Sequence, residues 1–318
     1  MSRIGIIGAG AWGTTLSILL AENKHEVCLW TYEKDVFKDI ADYHENKKYL
    51  PGFPLSALIT PATDLNEAAA GKELVIISVP TQFLSKLGLP SVKAPVLSAS
   101  KGIDEETLRL PHEMIGADAV ISGPNLAKEI AAGKPAATVV ASSNLDTAKK
   151  IQKMLSSEKF RVYTNDDVVG VELGGALKNI IAIAAGAADG FGLGDNAKSA
   201  LLIRGIAEMT RLGVSLGARA QTFSGLSGMG DLITTCSSSL SRNHYVGYEL
   251  AKGKKLKEIL ASMKDVAEGV PTCRAAVKLA LKQKIEMPIT VEVHKVLFEG
   301  KDPYTALTSL MSRAPTSE

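Results

Sequence analysis

Short apolar runs in the first half of the chain and long helical patterns in the second half divide the sequence into two regions. Apolar runs bounded by turns are typical of strands buried in a parallel sheet. We predict strands at 4–7, 25–30, 74–79, 95–99, 119–122, 136–141 and 160–163. The second half has no clear strand pattern, and we predict helices there at 167–188, 195–213, 243–253, 256–263, 271–283 and 287–299.

This pattern predicts an α/β protein with a boundary near Asn165. Residues 1–165 are expected to form a Rossmann-type parallel-sheet domain that binds a dinucleotide. Residues 166–318 are expected to form an all-helical domain that binds substrate and carries the catalytic groups. Residues 44–63 contain prolines and a glycine, so they are predicted to be a long ordered connection.

The first predicted strand leads into a glycine-rich turn. Gly8, Gly10 and Gly13 form the pattern G-x-G-x-x-G between the strand 4–7 and a helical stretch. Glycines at these positions allow a tight turn, a close approach of pyrophosphate to the backbone, and close packing of helix on strand. The pyrophosphate would lie at the helix N-terminus, where N–H groups are unpaired. The alternative is a Rossmann-like turn that binds no ligand.

In a Rossmann fold, residues at the end of the second strand bind the ribose of the cofactor. Tyr32, Glu33 and Lys34 lie there. The Glu33 carboxylate could accept a hydrogen bond from a 2′-hydroxyl and would repel a 2′-phosphate, whereas Lys34 would favour the phosphate. The sequence therefore favours NAD over NADP, and a solvated loop is the alternative interpretation.

Composition and charge narrow the range of functions. The chain has 318 residues, 46% of them hydrophobic and 22% charged, with a net charge of +2. With so small a net charge, the protein has no strong electrostatic field that would attract nucleic acid or a membrane surface. The three cysteines are far apart, so a disulfide framework or zinc site is not expected, and a reducing, cytoplasmic setting is. The later apolar run 180–188 is shorter than a membrane span.

Lys178 is the strongest candidate for acid–base chemistry. It lies in a predicted helix among small residues, including Gly174 and Gly175. Two glycines in a helix cost about 1 kcal/mol each, which is understandable if a ligand or another backbone must come close. A partly buried lysine can also act as a proton donor near neutral pH. The alternative is a lysine that extends to solvent from a tightly packed helix pair.

Several turns rich in glycine and polar residues are further candidates for ligand binding. Arg242 in one of them could hold a phosphate through two N–H groups. Each such turn alone is also compatible with an ordinary surface turn. The turns are Ser100-Lys101-Gly102, Ser122-Gly123-Pro124-Asn125, Gly228-Met229-Gly230-Asp231 and Ser241-Arg242-Asn243.

Together with other motifs, these turns make the chain resemble the soluble NAD(P)-dependent sn-glycerol-3-phosphate dehydrogenases over nearly its whole length. Each motif is weak alone, but the set in this order is specific. The motifs are Gly8 to Gly13 with Trp12, Lys47 to Gly52, Ser100 to Gly102, Ser122 to Pro124, Glu172 to Ala182, Gly228 to Leu232, Ser241 to Asn243 and Val266 to Gly269.

The resemblance implies reversible reduction of dihydroxyacetone phosphate by NAD(P)H to sn-glycerol 3-phosphate, with Lys178 as general acid and base. Lys101 and Asp231 are implied to act beside it at the carbonyl end of the substrate. The implied substrate-binding residues are Lys101, Gly123, Asn125, Lys178, Asn179, Asp231, Thr235, Ser241, Arg242 and Asn243. The implied cofactor-binding residues are Gly8, Gly10, Ala11, Trp12, Gly13, Tyr32, Glu33, Tyr49, Lys101, Ala127, Arg242, Val266 and Glu268.

The family also implies a homodimer, a small phosphorylated substrate, no metal, and a role in supplying glycerophospholipid synthesis. This chain differs from the common family pattern at two positions that bear on ligand binding. Many bacterial members carry arginine where this chain has Thr31-Tyr32-Glu33, which puts a preference for NADP in doubt. Asn125 replaces a serine or threonine that is common in the family.

A related β-hydroxyacid dehydrogenase and a non-catalytic NAD(H) sensor are the alternative functions.

Overall fold

The computed structural model describes residues 1–263 and 266–313 and divides the chain into two compact units. The sheet unit comprises Met1–Lys101 and Arg109–Glu172, and the helical unit comprises Gly102–Leu108 and Leu173–Glu318. The predicted domain limits at 165 and 166 stay a prediction. The predicted helical domain also includes 264–265 and 314–318, which lie outside the described residues.

Eight strands in the described residues form one sheet in the order β3-β2-β1-β4-β5-β6-β7-β8. They are β1 (Arg3–Ile7), β2 (Glu26–Trp30), β3 (Ile59–Ala62), β4 (Leu74–Ile77), β5 (Val96–Ser98), β6 (Ala119–Ser122), β7 (Ala136–Ala141) and β8 (Phe160–Asn165). The order reverses between β1 and β4, which pair in parallel. This reversal is the point at which sheets of this kind bind nucleotides.

Two features of the sheet differ from the sequence prediction. β6 and β7 pair antiparallel, because the apolar pattern that marks a buried strand does not encode its direction. β3 lies inside the stretch 44–63, for which only a connection was predicted. It carries Pro61, which hides the strand signal, and it is an edge strand, where proline is tolerated.

Both faces of the sheet are buried. Side chains alternate along β1 and β4, so that Ile4 and Ile6 belong to one apolar core cluster while Val75 and Ile77 belong to another. Gly5 in β1 leaves room for helix backbone, because a Cβ there would lie 1.8 Å from the Ala68 carbonyl oxygen. The sheet therefore has a core on each side, as its continuous apolar runs predict.

Helices cover the sheet and form most of the helical unit. They are α1 (Ala11–Glu22), α2 (Lys34–Tyr43), α3 (Leu65–Ala69), α4 (Pro111–Ile115), α5 (Ala127–Ala131), α6 (Leu145–Leu155), α7 (Val168–Gly190), α8 (Gly194–Ser215), α9 (Ala220–Phe223), α10 (Asp231–Ser237), α11 (Arg242–Ala251), α12 (Leu256–Ser262), α13 (Gly269–Gln283), α14 (Pro288–Phe298) and α15 (Pro303–Met311). A single turn of π-helix, Leu226–Gly230, leads directly into α10.

The central helix α7 is apolar and deeply buried. By length and composition it is the one helix in the described residues that could cross a bilayer, and 83% of the relevant window is buried inside the protein. Gly186 of α7 allows the close approach of α11, because a Cβ there would lie 1.9 Å from the His244 carbonyl oxygen. These properties are those of a core helix packed against neighbouring helices.

Candidate active site

The glycine turn after β1 has the geometry that its sequence predicts. Gly8 has a φ of +111°, and a Cβ there would lie 2.4 Å from the Ser78 carbonyl oxygen. A Cβ on Gly13 would lie 1.9 Å from the Gly8 carbonyl oxygen. By contrast, nothing lies within 4 Å of the position a Cβ on Gly10 would take. Gly8 and Gly13 are thus required by the fold, while Gly10 leaves open space.

This open space lies at the N-terminus of α1. Gly10 is the N-cap residue and provides no side-chain cap, so the first N–H groups of the helix are available to an anion. Trp12 in the first turn has a buried indole Nε1 without a hydrogen-bond partner among the described residues. Buried polar groups normally have partners. An uncapped helix end, an open glycine and an unsatisfied indole N–H fit a dinucleotide.

Asn46 supports the turn and is a residue that the sequence reasoning missed. Its buried side-chain Nδ2 donates to the Ala9 carbonyl and to Thr14 Oγ1, both at 2.8 Å. Its Oδ1 accepts a hydrogen bond from the Tyr49 backbone N–H at 3.1 Å. Asn46 therefore holds the loop that carries Tyr49 against the glycine turn. No local motif marks this contact, since 37 residues separate Asn46 from Ala9.

Glu33, predicted to read the ribose, lies in a polar network after β2. Its Oε1 accepts a hydrogen bond from Tyr49 Oη at 2.5 Å and pairs with Lys48 Nζ at 3.3 Å. Lys48 also pairs with Asp35 at 3.2 Å, and the pKa of that carboxyl is lowered mainly by this hydrogen bond. Tyr32 is 83% exposed. The network fixes the Glu33 carboxylate and brings two predicted cofactor residues, Glu33 and Tyr49, together.

Three predicted residues of the sheet unit lie near the ends of β5 and β6. Lys101 Nζ donates to the Gly123 carbonyl oxygen at 3.0 Å, and Asn125 Nδ2 donates to Thr138 Oγ1 at 3.0 Å. Gly123 has a φ of +155° and is packed against Thr138. Asn125 Oδ1 is buried without a partner in the described part of the chain, which is a second unsatisfied polar atom. Ala127 begins α5, and its carbonyl accepts from Thr15.

Lys178 lies in a buried polar cluster of the helical unit. Its Nζ donates to Thr235 Oγ1 at 2.6 Å and lies 3.0 Å from Asp231 Oδ1. Thr235 Oγ1 in turn donates to Asp231 Oδ1 at 3.1 Å. Lys178 is only 7% exposed, so the alternative of a lysine extending to solvent is wrong. A buried lysine persists when a carboxylate and a hydroxyl compensate its charge, as they do here.

Glycines place α10 beside Lys178. A Cβ on Gly174 of α7 would lie 2.6 Å from the Ser227 carbonyl oxygen, and one on Gly228 would lie 2.2 Å from the Phe223 carbonyl oxygen. The π-helical turn therefore packs directly against α7 and starts α10 at Asp231. Asp231 and Thr235 are four residues apart and share a helix face. Gly174 thus accommodates another backbone, which is one of the two reasons the sequence offered for a glycine there.

Asn179, Ser241 and Asn243 form a second buried polar group beside Lys178. Asn243 Nδ2 donates to Asn179 Oδ1 at 2.8 Å, and Asn243 Oδ1 accepts from the Gly269 backbone N–H at 2.9 Å. Ser241 is the N-cap of α11, and its Oγ accepts from the His244 N–H at 3.2 Å. The side chains of Asn179 and Asn243 are therefore bonded to each other, while Ser241 has a capping function of its own.

Arg242 differs from these neighbours because its side chain is exposed. Within residues 1–263 and 266–313, its guanidinium forms no hydrogen bond or ion pair. It begins α11, where backbone N–H groups also favour an anion. Val266 is 40% exposed, and Glu268 is the N-cap residue of α13. Arg242 is thus the cation most open to a phosphate in this group of predicted residues.

The described residues show neither a reactive cysteine nor a metal-binding cluster. Cys28, Cys236 and Cys273 are free and buried, and burial raises the pKa of Cys236 to about 12. Such thiols are not reactive at neutral pH. The described residues contain no group of three histidine, cysteine or carboxylate side chains that could hold a metal ion.

Comparison with known families decides between the possible enzyme classes. The N-terminal model of NAD-dependent glycerol-3-phosphate dehydrogenase matches residues 3–148, and the C-terminal model matches residues 167–308. The chain belongs to the NAD-dependent glycerol-3-phosphate dehydrogenase family. This confirms the resemblance, the oxidoreductase class and the NAD(P) cofactor expected from the sequence.

Members of the NAD-dependent glycerol-3-phosphate dehydrogenase family match over the whole chain. A glycerol-3-phosphate dehydrogenase [NAD(P)+] of Syntrophotalea carbinolica is 48% identical over 99% of both chains. One from Bacillus licheniformis is 46% identical over all of this chain and 96% of its own. The crystal structure of glycerol-3-phosphate dehydrogenase from Coxiella burnetii has a TM-score of 0.94 at 38% identity, covering 98% of this chain and 99% of that one. The predicted fold class is confirmed.

Proposed function

We propose that this chain catalyses the reversible NAD(P)H-dependent reduction of dihydroxyacetone phosphate to sn-glycerol 3-phosphate, with Lys178 as general acid and base. The observation that carries the proposal is the buried cluster of Lys178, Asp231 and Thr235 in a chain of this family. A proton donor is needed wherever a carbonyl is reduced, and a nucleotide-binding protein without catalysis would not need one.

Lys178 has one task in each direction of the reaction. In reduction, the carbonyl oxygen becomes an alkoxide, and the Lys178 ammonium stabilises this charge and transfers a proton to the oxygen. In oxidation, the neutral amine accepts the hydroxyl proton. The Asp231 carboxylate, 3.0 Å from Lys178 Nζ, favours the charged ammonium form before proton transfer. The hydrogen bond to Thr235 Oγ1 fixes the orientation of the ammonium group. The bound nicotinamide supplies or accepts the hydride.

The other residues are assigned roles within each unit. In the sheet unit, Gly8, Gly10, Ala11, Trp12 and Gly13 would hold the pyrophosphate side of the dinucleotide at the start of α1. Tyr32, Glu33, Tyr49 and Ala127 would bind the rest of its adenosine half, and Lys101, Gly123 and Asn125 would contact substrate. In the helical unit, Arg242 would bind the substrate phosphate with Asn179, Asp231, Thr235, Ser241 and Asn243. Val266, Glu268 and Arg242 would contact the cofactor.

NAD is the proposed cofactor in preference to NADP. Glu33 carries a negative charge that Tyr49 and Lys48 hold in place, and it would repel a 2′-phosphate. Replacing Glu33 by arginine should shift the ratio of kcat/KM for NADH to that for NADPH by at least ~10-fold towards NADPH. Glu158→Arg, at an exposed position away from the glycine turn in sequence, is a matched control for the same change of charge. An unchanged ratio in Glu33→Arg would mean that this carboxylate does not read the ribose.

We also propose a cytoplasmic homodimer that supplies glycerophospholipid synthesis and binds neither nucleic acid nor membrane. The near-neutral charge and the buried free cysteines support this setting. Light scattering on the purified protein measures the oligomeric state. A monomer at working concentration would contradict the dimer without affecting the proposed reaction.

The experiment that tests the reaction is the oxidation of NADH and of NADPH, measured separately, with dihydroxyacetone phosphate in excess. Oxidation of either cofactor is the expected result, and the ratio gives the cofactor preference. Folded protein that binds NADH but oxidises neither cofactor would contradict the proposal. Activity on a β-hydroxyacid instead would identify the related dehydrogenase class.

A further inference from the structure

Lys48 bridges the two carboxylates that follow β2. Its Nζ lies 3.3 Å from Glu33 Oε1 and 3.2 Å from Asp35 Oδ2. The side chain of Lys48 is 35% exposed and that of Glu33 is 32% exposed, so a bound ligand can reach both. Lys48 thus compensates one of two negative charges at the place where a Rossmann fold binds the ribose of its cofactor.

The loop that carries Lys48 is held in place on both sides of this residue. On one side, Asn46 Nδ2 donates to the Ala9 carbonyl oxygen of the glycine turn at 2.8 Å. On the other side, Tyr49 Oη donates to Glu33 Oε1. The backbone at Lys48 is therefore fixed relative to the start of α1, while its ammonium stays on a flexible four-carbon side chain that can change partners.

A 2′-phosphate on the ribose would come within range of the Lys48 ammonium. Glu33 Oε1 already accepts from Tyr49 and Lys48, and within residues 1–263 and 266–313 no hydrogen bond uses Oε2. Oε2 is thus the oxygen left for a ribose hydroxyl, and a group bonded to it would lie at most about 8 Å from Lys48 Nζ. Charges at this distance are only partly screened at physiological ionic strength.

Two other lysines lie nearby in sequence, and the structure favours Lys48 over both. Lys34 is exposed and, in the described part of the chain, forms no hydrogen bond or ion pair that would direct its ammonium towards Glu33. Lys47 pairs with Asp39 instead, at 3.9 Å. Lys48 is therefore the lysine of these three that the fold brings to the Glu33 carboxylate.

We infer that Lys48 is a specificity-determining residue that admits the 2′-phosphate of NADP beside Glu33. This inference rests on the proposed function, in which Glu33 binds the ribose. With NAD, Lys48 stays paired with Glu33 and Asp35. With NADP, its ammonium turns to the phosphate and offsets part of the repulsion from the two carboxylates. The chain then prefers NAD without excluding NADP.

A purely structural role of Lys48 predicts the opposite change in cofactor preference. If Lys48 only holds the Glu33 carboxylate in place, its loss would let this carboxylate move away and would favour NADPH. If Lys48 is the counter-ion of the phosphate, its loss would disfavour NADPH relative to NADH. The sign of the change therefore separates the two roles.

The test is fluorescence titration of the full chain with NADH and with NADPH, which needs no turnover. Lys48→Met removes the charge and keeps an unbranched side chain, and Lys47→Met is the matched control one residue away. We expect Lys48→Met to lower NADPH affinity by roughly 3- to 10-fold more than NADH affinity, and Lys47→Met to leave the ratio within roughly 2-fold of the wild type. An unchanged ratio in Lys48→Met, or a shift towards NADPH, would overturn the inference.

A second background shows whether Lys48 acts on the phosphate directly. In Glu33→Gln the carboxylate that Lys48 pairs with is gone, but the ammonium remains. Adding Lys48→Met to Glu33→Gln should still lower NADPH affinity relative to NADH affinity by roughly 3-fold or more. No further change in the double variant would mean that Lys48 acts only through Glu33, and the inference would be wrong.

The same titrations separate this inference from the proposed function. A wild type that binds neither dinucleotide would contradict the proposed cofactor site and this inference with it. A wild type that binds NADH but not NADPH would leave the proposed cofactor site intact and contradict only the role of Lys48.

Discussion

The glycine turn of the sheet unit and the lysine cluster of the helical unit prepare for ligands in opposite ways. The turn works by leaving side chains out, since Gly10 has nothing within 4 Å of its missing Cβ and gives α1 no side-chain cap. The cluster works by bringing side chains in, since Lys178, Asp231 and Thr235 are all buried and mutually bonded. In the proposed function, binding would thus rely on backbone N–H groups, and proton transfer on a compensated buried charge.

The difference predicts how each region responds to substitution. A backbone site is lost when any side chain fills the space, but the protein can remain folded if that space is open. A buried charge pair is lost when either partner is removed, and the remaining charge then destabilises the fold. A substitution at the open glycine should therefore weaken ligand binding without unfolding the protein. A substitution in the buried charge pair should lower both activity and stability.

Removal of the Lys178 amine should have the largest effect. Lys178→Ala is expected to lower turnover by at least ~10²-fold, because no other group replaces the proton donor, while NADH affinity measured by fluorescence titration is kept. The variant should also unfold at a lower temperature, since the buried Asp231 carboxylate loses this cation. Exposed Lys257→Ala is the matched control. Near-normal turnover in Lys178→Ala would exclude this lysine from the mechanism.

Two alanine substitutions in the glycine turn should have contrasting effects. Gly13→Ala places a Cβ 1.9 Å from a backbone oxygen and should lower the free energy of unfolding by about 2 kcal/mol or more. Gly10→Ala has ordinary backbone angles and open space, so stability should change by less than about 0.5 kcal/mol while NADH affinity falls by ~10-fold. Wild-type NADH affinity in Gly10→Ala would show that this turn does not hold the pyrophosphate.

Arg242 tests whether the helical unit also binds anions through a side chain. Its guanidinium is exposed at the start of α11. Arg242→Ala should raise KM for dihydroxyacetone phosphate by roughly 10- to 100-fold and leave KM for unphosphorylated dihydroxyacetone nearly unchanged. Exposed Arg204→Ala is a control on α8. Equal changes for both substrates would mean that Arg242 does not bind the phosphate.

The parts of the molecule that the sequence predicted are those encoded by local spacing. The turn from Gly8 to Gly13 needs only neighbouring residues, and the small residues around Lys178 lie within one helix. Local patterns also predicted most strands and the long helices. The helix α2, starting at Lys34, was missed because charged residues there were interpreted as a possible solvated loop. β3 was missed because Pro61 interrupts its pattern.

What the sequence could not predict are contacts between distant residues. Asn46 supports the glycine turn from 37 residues away, and Glu172 pairs with His112 across 60 residues. Each partner is an ordinary polar residue in its own segment, so no spacing marks it. The same holds for Asn243, whose three-residue motif indicates a ligand site but not its contact with Gly269. Such pairs depend on how the elements pack, which a single sequence does not state.

The pair His112 and Glu172 gives the sheet unit a buried charged contact of its own, outside the proposed chemistry. His112 Nδ1 lies 2.5 Å from Glu172 Oε2, and its backbone N–H donates to Oε1 at 3.0 Å. Burial lowers the pKa of His112, but the hydrogen bond and charge of Glu172 outweigh it and leave the pKa raised above 6.5. The folded protein therefore holds this proton more tightly than the unfolded chain does.

A raised histidine pKa stabilises the fold below pH 6.5, and this contribution is lost as the pH rises through the pKa of the folded state. The wild type should thus lose stability in urea titrations as the pH rises above 6.5. Glu172→Gln should not show this decline, because burial then acts on His112 alone and the Glu172 carboxyl, whose pKa burial raises, is no longer present to titrate. His25, whose pKa is lowered mainly by burial, shifts stability in the opposite direction in both proteins and cancels in the comparison. An equal decline in Glu172→Gln would assign the pH dependence to other groups.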